Sequence, residues 1–404
     1  MRVTQTMLAL NTLRHIGQGY ERLGTLQDQL ATGKRITRAS QDPMVAMKGI
    51  RYRTQVAEVE QFKRNLREVY NWMDTADSTL NEATQSLQRI RELATQASND
   101  TYEKTQRANI AKEIKQLREH LQSMANTKNS TKYIFNGTDT TNAPITDASR
   151  MDKGIEEITT NTGDIPKLES LDVVYDGKIF RYVGEDAAGT LIFQDIRQNG
   201  TPAFPADPTV AADMDAYNAA AIQLKVDSSG AVEFSEPNRE GDTPPFLTKN
   251  VRTGDAVVSD RNAVSVNTQS VEIELLKGVT LPVNVNPSKV FNNALFGDII
   301  RLEKALEDPS VTGVELTSYI DNIFAHIDNF VAERAELGSR VNRVEMIESR
   351  IMEQEVIANR IMSENEDADL EKVIIDLTIQ ESVHRAALAS GARIVQPTLM
   401  DFLR

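Results

Sequence analysis

Few residues in this chain have the types and spacing that chemistry requires. Its four histidines, His15, His120, His326 and His384, stand singly, with no HExxH and no paired-ligand spacing. Cysteine is absent, so disulfides, thiolate metal sites and cysteine nucleophiles are all excluded. Gly17, Gly19 and Gly24 loosely follow a phosphate-binding glycine pattern, but the third glycine is misplaced and no strand precedes them. Carboxylates are abundant, yet none pairs with another as acid and base, and a solvated face accounts for them. The sequence therefore nominates no catalytic residue, no cofactor and no metal site, and the chain reads as a non-enzyme. Lys34, Arg35 and Arg38, with Lys48, Arg51 and Arg53 beyond a break, make one segment basic. That cluster suits acidic surfaces of neighbouring subunits, or simply solvent.

The elements that carry these residues are mostly helices. Ten of the 13 prolines fall between Pro144 and Pro287, which leaves both ends nearly free of helix breakers. One helix should end near Thr32 or Gly33, and another should start at Pro43 with Asp42 as its cap. Along the second helix Phe62, Leu66, Val69, Met73, Ala76, Leu80, Ala83, Leu87, Ile90, Ala94 and Ala97 alternate steps of four and three, a sustained heptad seam. After Asn99 and Asp100 the pattern resumes at Ile110, Ile114, Leu117, Leu121 and Met124, so a helical hairpin is expected. The first helix repeats Leu13, Ile16, Tyr20, Leu23 and Leu30. Toward the other end Ile320, Phe324, Ile327, Val331, Leu337, Val341, Val344, Ile347 and Ile351 trace another long stripe, and a final helix carries Leu370, Val373, Ile374, Leu377 and Ala387.

The middle is different. From about Gly137 to Asn293 the pattern is short strands, with Asp176-Gly177 and Ser229-Gly230 as hairpin turns. Most of the formal charge of -14 lies there, since residues 138–296 hold 24 acidic against 13 basic side chains. Such a balance excludes a general nucleic-acid binder, because neutralising phosphates needs a basic face. No apolar run is long enough to span a membrane, and the first twenty residues lack the pattern of a cleaved secretory signal. The expected fold is mainly α with an inserted β-rich domain, an elongated coiled-coil-like helical bundle built from the N- and C-terminal segments.

Several segments resemble one family. LATGKRI (Leu30 to Ile36) followed by QDP (Gln41 to Pro43), RIRELATQASND (Arg89 to Asp100), YIFNGT (Tyr133 to Thr138) and the stretch from Asp367 to Arg404 are similar to flagellins and their relatives. Within that superfamily the ending PTLMDFLR (Pro397 to Arg404) resembles the hook-filament junction branch, hook-associated protein 3. The resemblance implies a structural subunit exported uncleaved through the flagellar type III apparatus to the outside of the cell. It further implies a ring of copies between the first hook-associated protein and flagellin, and a cytoplasmic export chaperone on the C-terminal segment. No nucleic acid and no membrane insertion are expected. Terminal helices too narrow to bury their seams alone can complete them by pairing with each other and with neighbouring subunits. On that reading residues 1–42 and 364–404 form an inner assembly core, 43–137 and 294–363 a long-helix rod, and 138–293 an acidic surface domain. Leu13, Ile16, Tyr20, Leu23, Leu30, Leu370, Val373, Leu377, Leu388, Ile394, Leu399 and Phe402 are the expected assembly interface. Phe62, Leu66, Val69, Met73, Leu80, Leu87 and Ile90 are the expected rod seam. Flagellin itself, or from another class a coiled-coil surface adhesin or signalling rod, are the alternatives.

Overall fold

A computed structural model describes residues 5–99, 104–198, 200, 202–238, 245–252 and 254–395, with the side chains of 5, 6, 8, 9 and 393–395 excepted. The fold is mainly α with an inserted β-rich domain. Its contacts divide into two compact units, residues 1–64 with 346–404, and residues 65–345.

The long helices start and stop where local chemistry directs. Helix α1 (Gln5–Thr32) ends at Gly33, whose φ of +66° is the left-handed C-terminal conformation that glycine adopts without strain. Helix α2 (Pro43–Ala97) begins with proline in its first turn, and Asp42 Oδ1 accepts the backbone N–H of Met44 and of Val45, both at 3.1 Å. Asp42→Ala is expected to cost about 1 kcal/mol, read as a lower unfolding midpoint of the unit holding residues 1–64. An unchanged midpoint would show that tertiary packing alone sets this helix start.

In the second unit α2 is joined by α3 (Lys104–Ala125), which turns back along it: Arg89 on α2 pairs with Glu113 on α3 at 2.9 Å. The seam residues Leu66, Val69, Met73, Leu80, Leu87 and Ile90 are all buried, and Phe62, in the first unit, is half-buried. A second stripe at heptad spacing, Trp72, Thr79, Ser86 and Leu93, is buried as well. The buried face is therefore wider than the expected heptad seam over this stretch. Three adjacent rows are covered, so α2 packs against more than one partner.

The inserted domain is a seven-stranded antiparallel sheet. In chain order its strands are β1 (Leu171–Tyr175), β2 (Lys178–Glu185), β3 (Leu191–Asp195), β4 (Gln223–Val226), β5 (Val232–Pro237), β6 (Phe246–Val251) and β7 (Val257–Asp260). They lie in the order β6-β5-β4-β3-β2-β1-β7, a meander closed by one long return. Asp176 and Gly177, at φ of +50° and +72°, form the β1–β2 turn, and Gly230 at +83° lies in the β4–β5 turn. One face buries Val173, Tyr175, Phe180, Phe193, Leu224, Phe234 and Val258 together. Helix α4 (Ala211–Ala220), with Met214 and Tyr217, covers Ile192 on the other face. A separate ribbon pairs β8 (Glu272–Leu276) with β9 (Val279–Pro282).

Helix α5 (Asn293–Glu307) is buried on nearly every side, α6 runs Gly313–Glu366, and α7 runs Leu370–Val395. The stripe expected on α6 holds at Ile327, Leu337, Val344, Ile347 and Ile351, which are buried, and is shifted in the first part of the helix. Phe324 and Val331 are exposed, and the buried register is Leu316, Tyr319, Ile323, His326, Ile327 and Phe330. Apolar residues occupy two phases of this helix, and Phe324 instead carries the Arg91 guanidinium 5.7 Å from its ring centre.

Candidate assembly surface

Within the first unit α1 and α7 lie against each other. Two glycines set their closeness. A Cβ at Gly391 would stand 3.2 Å from the side chains of Ile16 and Thr12, and one at Gly19 would stand 3.3 Å from His384 Nδ1. His384 is buried edge-on to the Tyr20 ring, with centroids 4.5 Å apart. Val373 is also buried, whereas Ile16, Leu23, Leu26 and Leu377 are only half-buried.

The structure thus divides the residues expected at the assembly interface. Ile16, Leu23, Val373 and Leu377 enter the seam between the two helices. Leu13, Tyr20, Leu30, Leu370 and Leu388 stay exposed in the single chain. The reason is the close approach at the glycines, which turns the pair about Ile16, Gly19 and Leu23. The Ile394 side chain, Leu399 and Phe402 lie outside the described residues. Sequence reasoning missed Gly19, Gln380, His384 and Gly391. Their only signal was two glycines inside otherwise unbroken helices.

The basic loop between α1 and α2 closes on the α6–α7 junction. Arg35 N–H donates to Glu366 O at 2.6 Å and Ala368 N–H to Gly33 O at 2.9 Å. Arg53 holds the buried Glu366 carboxylate with two bonds, at 2.7 and 2.8 Å, and Lys34 Nζ lies 2.7 Å from Asp367 Oδ1. A Cβ at Gly49 would come within 2.8 Å of Glu366 Oε1, so glycine gives this carboxylate its space. Hydrogen bonds from Lys34 and Ser363 hold the Asp367 carboxyl below the usual range, and the Asp367 bond raises Lys34 in turn. Around the clasp is a cleft of about 220 Å³ whose lining includes Ile36, Arg38, Val45 and Ile50. Of the basic cluster, Lys34 and Arg53 are thus neutralised within the chain. The arrangement fastens the two terminal segments together and presents no nucleophile.

In the second unit the carboxylates are not all solvated, which corrects the sequence reading. Asp298 and Arg301 on α5 are both almost fully buried and bonded at 2.9 Å. His326 Nε2 lies 2.9 Å from Asp298 Oδ2, and Asp255 Oδ1 takes Arg301 Nη2 at 3.0 Å and the Tyr319 hydroxyl at 2.6 Å. Burial pushes the Asp298 carboxyl up, but the His326 bond and the Arg301 charge outweigh it and hold it below the ordinary range. The adjoining cleft holds only about 40 Å³, room for little more than water. Asp255, Asp298, Arg301, Tyr319 and His326 thus form one bonded cluster, in which Asp298 and Arg301 are almost fully buried. No group of three or more potential metal ligands occurs among the described residues. No helix of the described residues is long and apolar enough to cross a membrane.

Residues 3–140 match the family model of the bacterial flagellin N-terminal helical region. The chain is 32% identical over 127 residues to flagellin of Clostridium tyrobutyricum, covering 31% of this chain and 34% of that protein. To flagellin of Salmonella typhimurium it is 26% identical over 351 residues, 82% of this chain and 65% of the relative. To flagellar hook-associated protein 3 of the same organism it is 27% identical over 165 residues, 41% of this chain and 52% of the relative. The chain thus spans less than two thirds of each of these relatives.

Proposed function

We propose that this chain is a structural subunit of the bacterial flagellum at the junction of hook and filament. A ring of copies stands between the first hook-associated protein and flagellin, outside the cell. Each copy arrives uncleaved by type III export, escorted by a chaperone on its C-terminal segment. Residues 1–42 with 364–404 are the inner assembly core, 43–137 with 294–363 the rod, and 138–293 the acidic surface domain.

The observation that carries this reading is the apolar surface left over by the α1–α7 seam. Leu10, Leu13 and Tyr20 on α1, and Ile374, Ile375, Ile379 and Val383 on α7, are each more than half exposed. Large apolar side chains left uncovered along a pair of helices suit an interaction site. Neighbouring subunits that cover it complete a core that one chain supplies only in part. Amide exchange on the soluble monomer is expected to find α1 and α7 weakly protected and residues 65–97 strongly protected. Equal protection of both would sink the assembly-coupled reading.

The 82% of this chain that aligns with Salmonella flagellin favours a second reading, the filament subunit itself. Deleting the gene in its host separates the two. Hooks without filaments, with flagellin free in the medium, establish the junction role, and hooks with junction proteins but no flagellin anywhere establish the filament role. Unchanged filaments would overturn both.

A further inference from the structure

One small apolar cluster joins the sheet to the helices of its own unit. Val174, Ile179 and Ala294 form the apolar cluster between the β1–β2 hairpin and α5, whereas the sheet's main core lies on its other face. Gly297 lets the strand come close, since a Cβ there would stand 2.7 Å from the Val174 side chain. A patch of three side chains is non-directional and can seat the sheet at more than one angle.

Beside the patch lies the buried ionic cluster, and its bonds run in three directions. Toward the hairpin tip, Asp298 Oδ1 accepts the Gly177 N–H at 3.2 Å, and the Asn322 amide donates to Asp176 Oδ1 at 3.2 Å. Toward the loop before β7, Arg301 donates to the Asp255 backbone oxygen at 2.6 Å as well as to its carboxylate. Toward α6, Asp298 meets His326 and Asp255 meets Tyr319. The Arg301 guanidinium is also flanked by the rings of Tyr175 and Tyr319, at 4.8 and 5.1 Å. Hairpin tip, return loop and both helices are thereby fixed to one buried cation.

We propose that Asp255, Asp298, Arg301, Tyr319 and His326 form an orientation lock, which sets the angle of the surface sheet on α5 and α6 and adds little to stability. Buried ion pairs lose most of their attraction to desolvation, while their geometry still excludes alternative dockings. The sheet then moves as one body with the helices beneath it and is not a tethered domain.

The absence of cysteine makes the test direct. Spin labels at Thr248→Cys on β6 and Gln85→Cys on α2, both exposed positions of this unit, report one distance distribution by pulsed electron resonance. The charge-free variant Asp255→Leu, Asp298→Leu, Arg301→Met, Tyr319→Phe, His326→Leu is expected to melt within about 4 °C of the parent. Its distance distribution should become roughly twice as wide. A distribution as narrow as the parent's, or a loss of folding confined to this unit, overturns the lock: the first because apolar packing then orients the sheet, the second because the cluster is then a stabiliser. Tyr319→Phe with Asn322→Ala strands no buried charge and keeps the orientation test available in either case. Widening supports the lock, and an unchanged width refutes it.

Discussion

Leu87→Ala is expected to destabilise the unit holding residues 65–345 by about 2–5 kcal/mol, toward the upper end of that range. Leu87 is fully buried in one of three adjacent heptad rows on α2. One turn before it stand Ala83 on one side and Thr84 on the other, both buried, and the row beyond Ala83 contains Thr79 and Ser86, buried as well. Small residues on both sides let neighbouring backbones come close, so the walls of a new cavity are largely main chain and relax little. The measurement is the urea midpoint of the full chain, with exposed Gln88→Ala as control, expected within about 0.5 kcal/mol of the parent. A Leu87→Ala loss under about 1 kcal/mol would mean that the helices collapse onto the space.

Arg301→Met on its own is expected to cost about 3–5 kcal/mol, more than removing the whole cluster together. The single change leaves Asp298 and Asp255 without their cation. Asp298 is 1% exposed, so water cannot replace it. Acid acts on the same pair, and its direction follows from the position of the carboxyl. The Asp298 group titrates below the ordinary value of 3.8 in the folded chain. Its contribution is complete above that ordinary value and is lost as pH falls through the lower, folded one. Glu303 has the opposite sign, because burial raises it despite the Arg118 pair at 2.7 Å. Its contribution is complete below the ordinary glutamate value and lost as pH rises through the raised one. Thermal melts below pH 4 should therefore fall steeply in the parent and more gently in Arg301→Met, whose Asp298 has lost a main reason to stay ionised. Parallel pH profiles would refute this assignment.

The family segments legible in the sequence acquire separate physical reasons. In LATGKRI, Gly33 ends a helix and Lys34 fastens the loop to Asp367, while the side-chain oxygen of Gln41 in QDP accepts the Thr37 N–H at 2.8 Å. In YIFNGT, Ile134 and Phe135 are fully buried, and the Phe135 ring meets Phe291, which in turn meets Phe330. Gly137 sits at φ of +54° against Asn267. In RIRELATQASND, Arg89 to Ala97 form the end of α2, with Ile90, Leu93, Ala94 and Ala97 inward. These are folding and fastening roles. The surface proposed for assembly lies elsewhere, on residues such as Leu13, Ile375 and Ile379 that the seam leaves uncovered.

By itself the sequence determined where α1, α2, α3 and α7 run and where the Asp176-Gly177 and Ser229-Gly230 turns fall. Caps, proline positions, heptad spacing and turn dipeptides act over a few residues, so a local reading suffices for them. Only the tertiary structure decided which phase of α6 faces inward, how the seven strands are ordered, and that Gly19 and Gly391 set the terminal pairing. The same is true of the buried cluster, because Asp255, Asp298 and His326 meet only after separate loops and helices have packed. An isolated carboxylate in a sequence carries no sign of whether water or an arginine will be beside it, and desolvation by distant segments settles that.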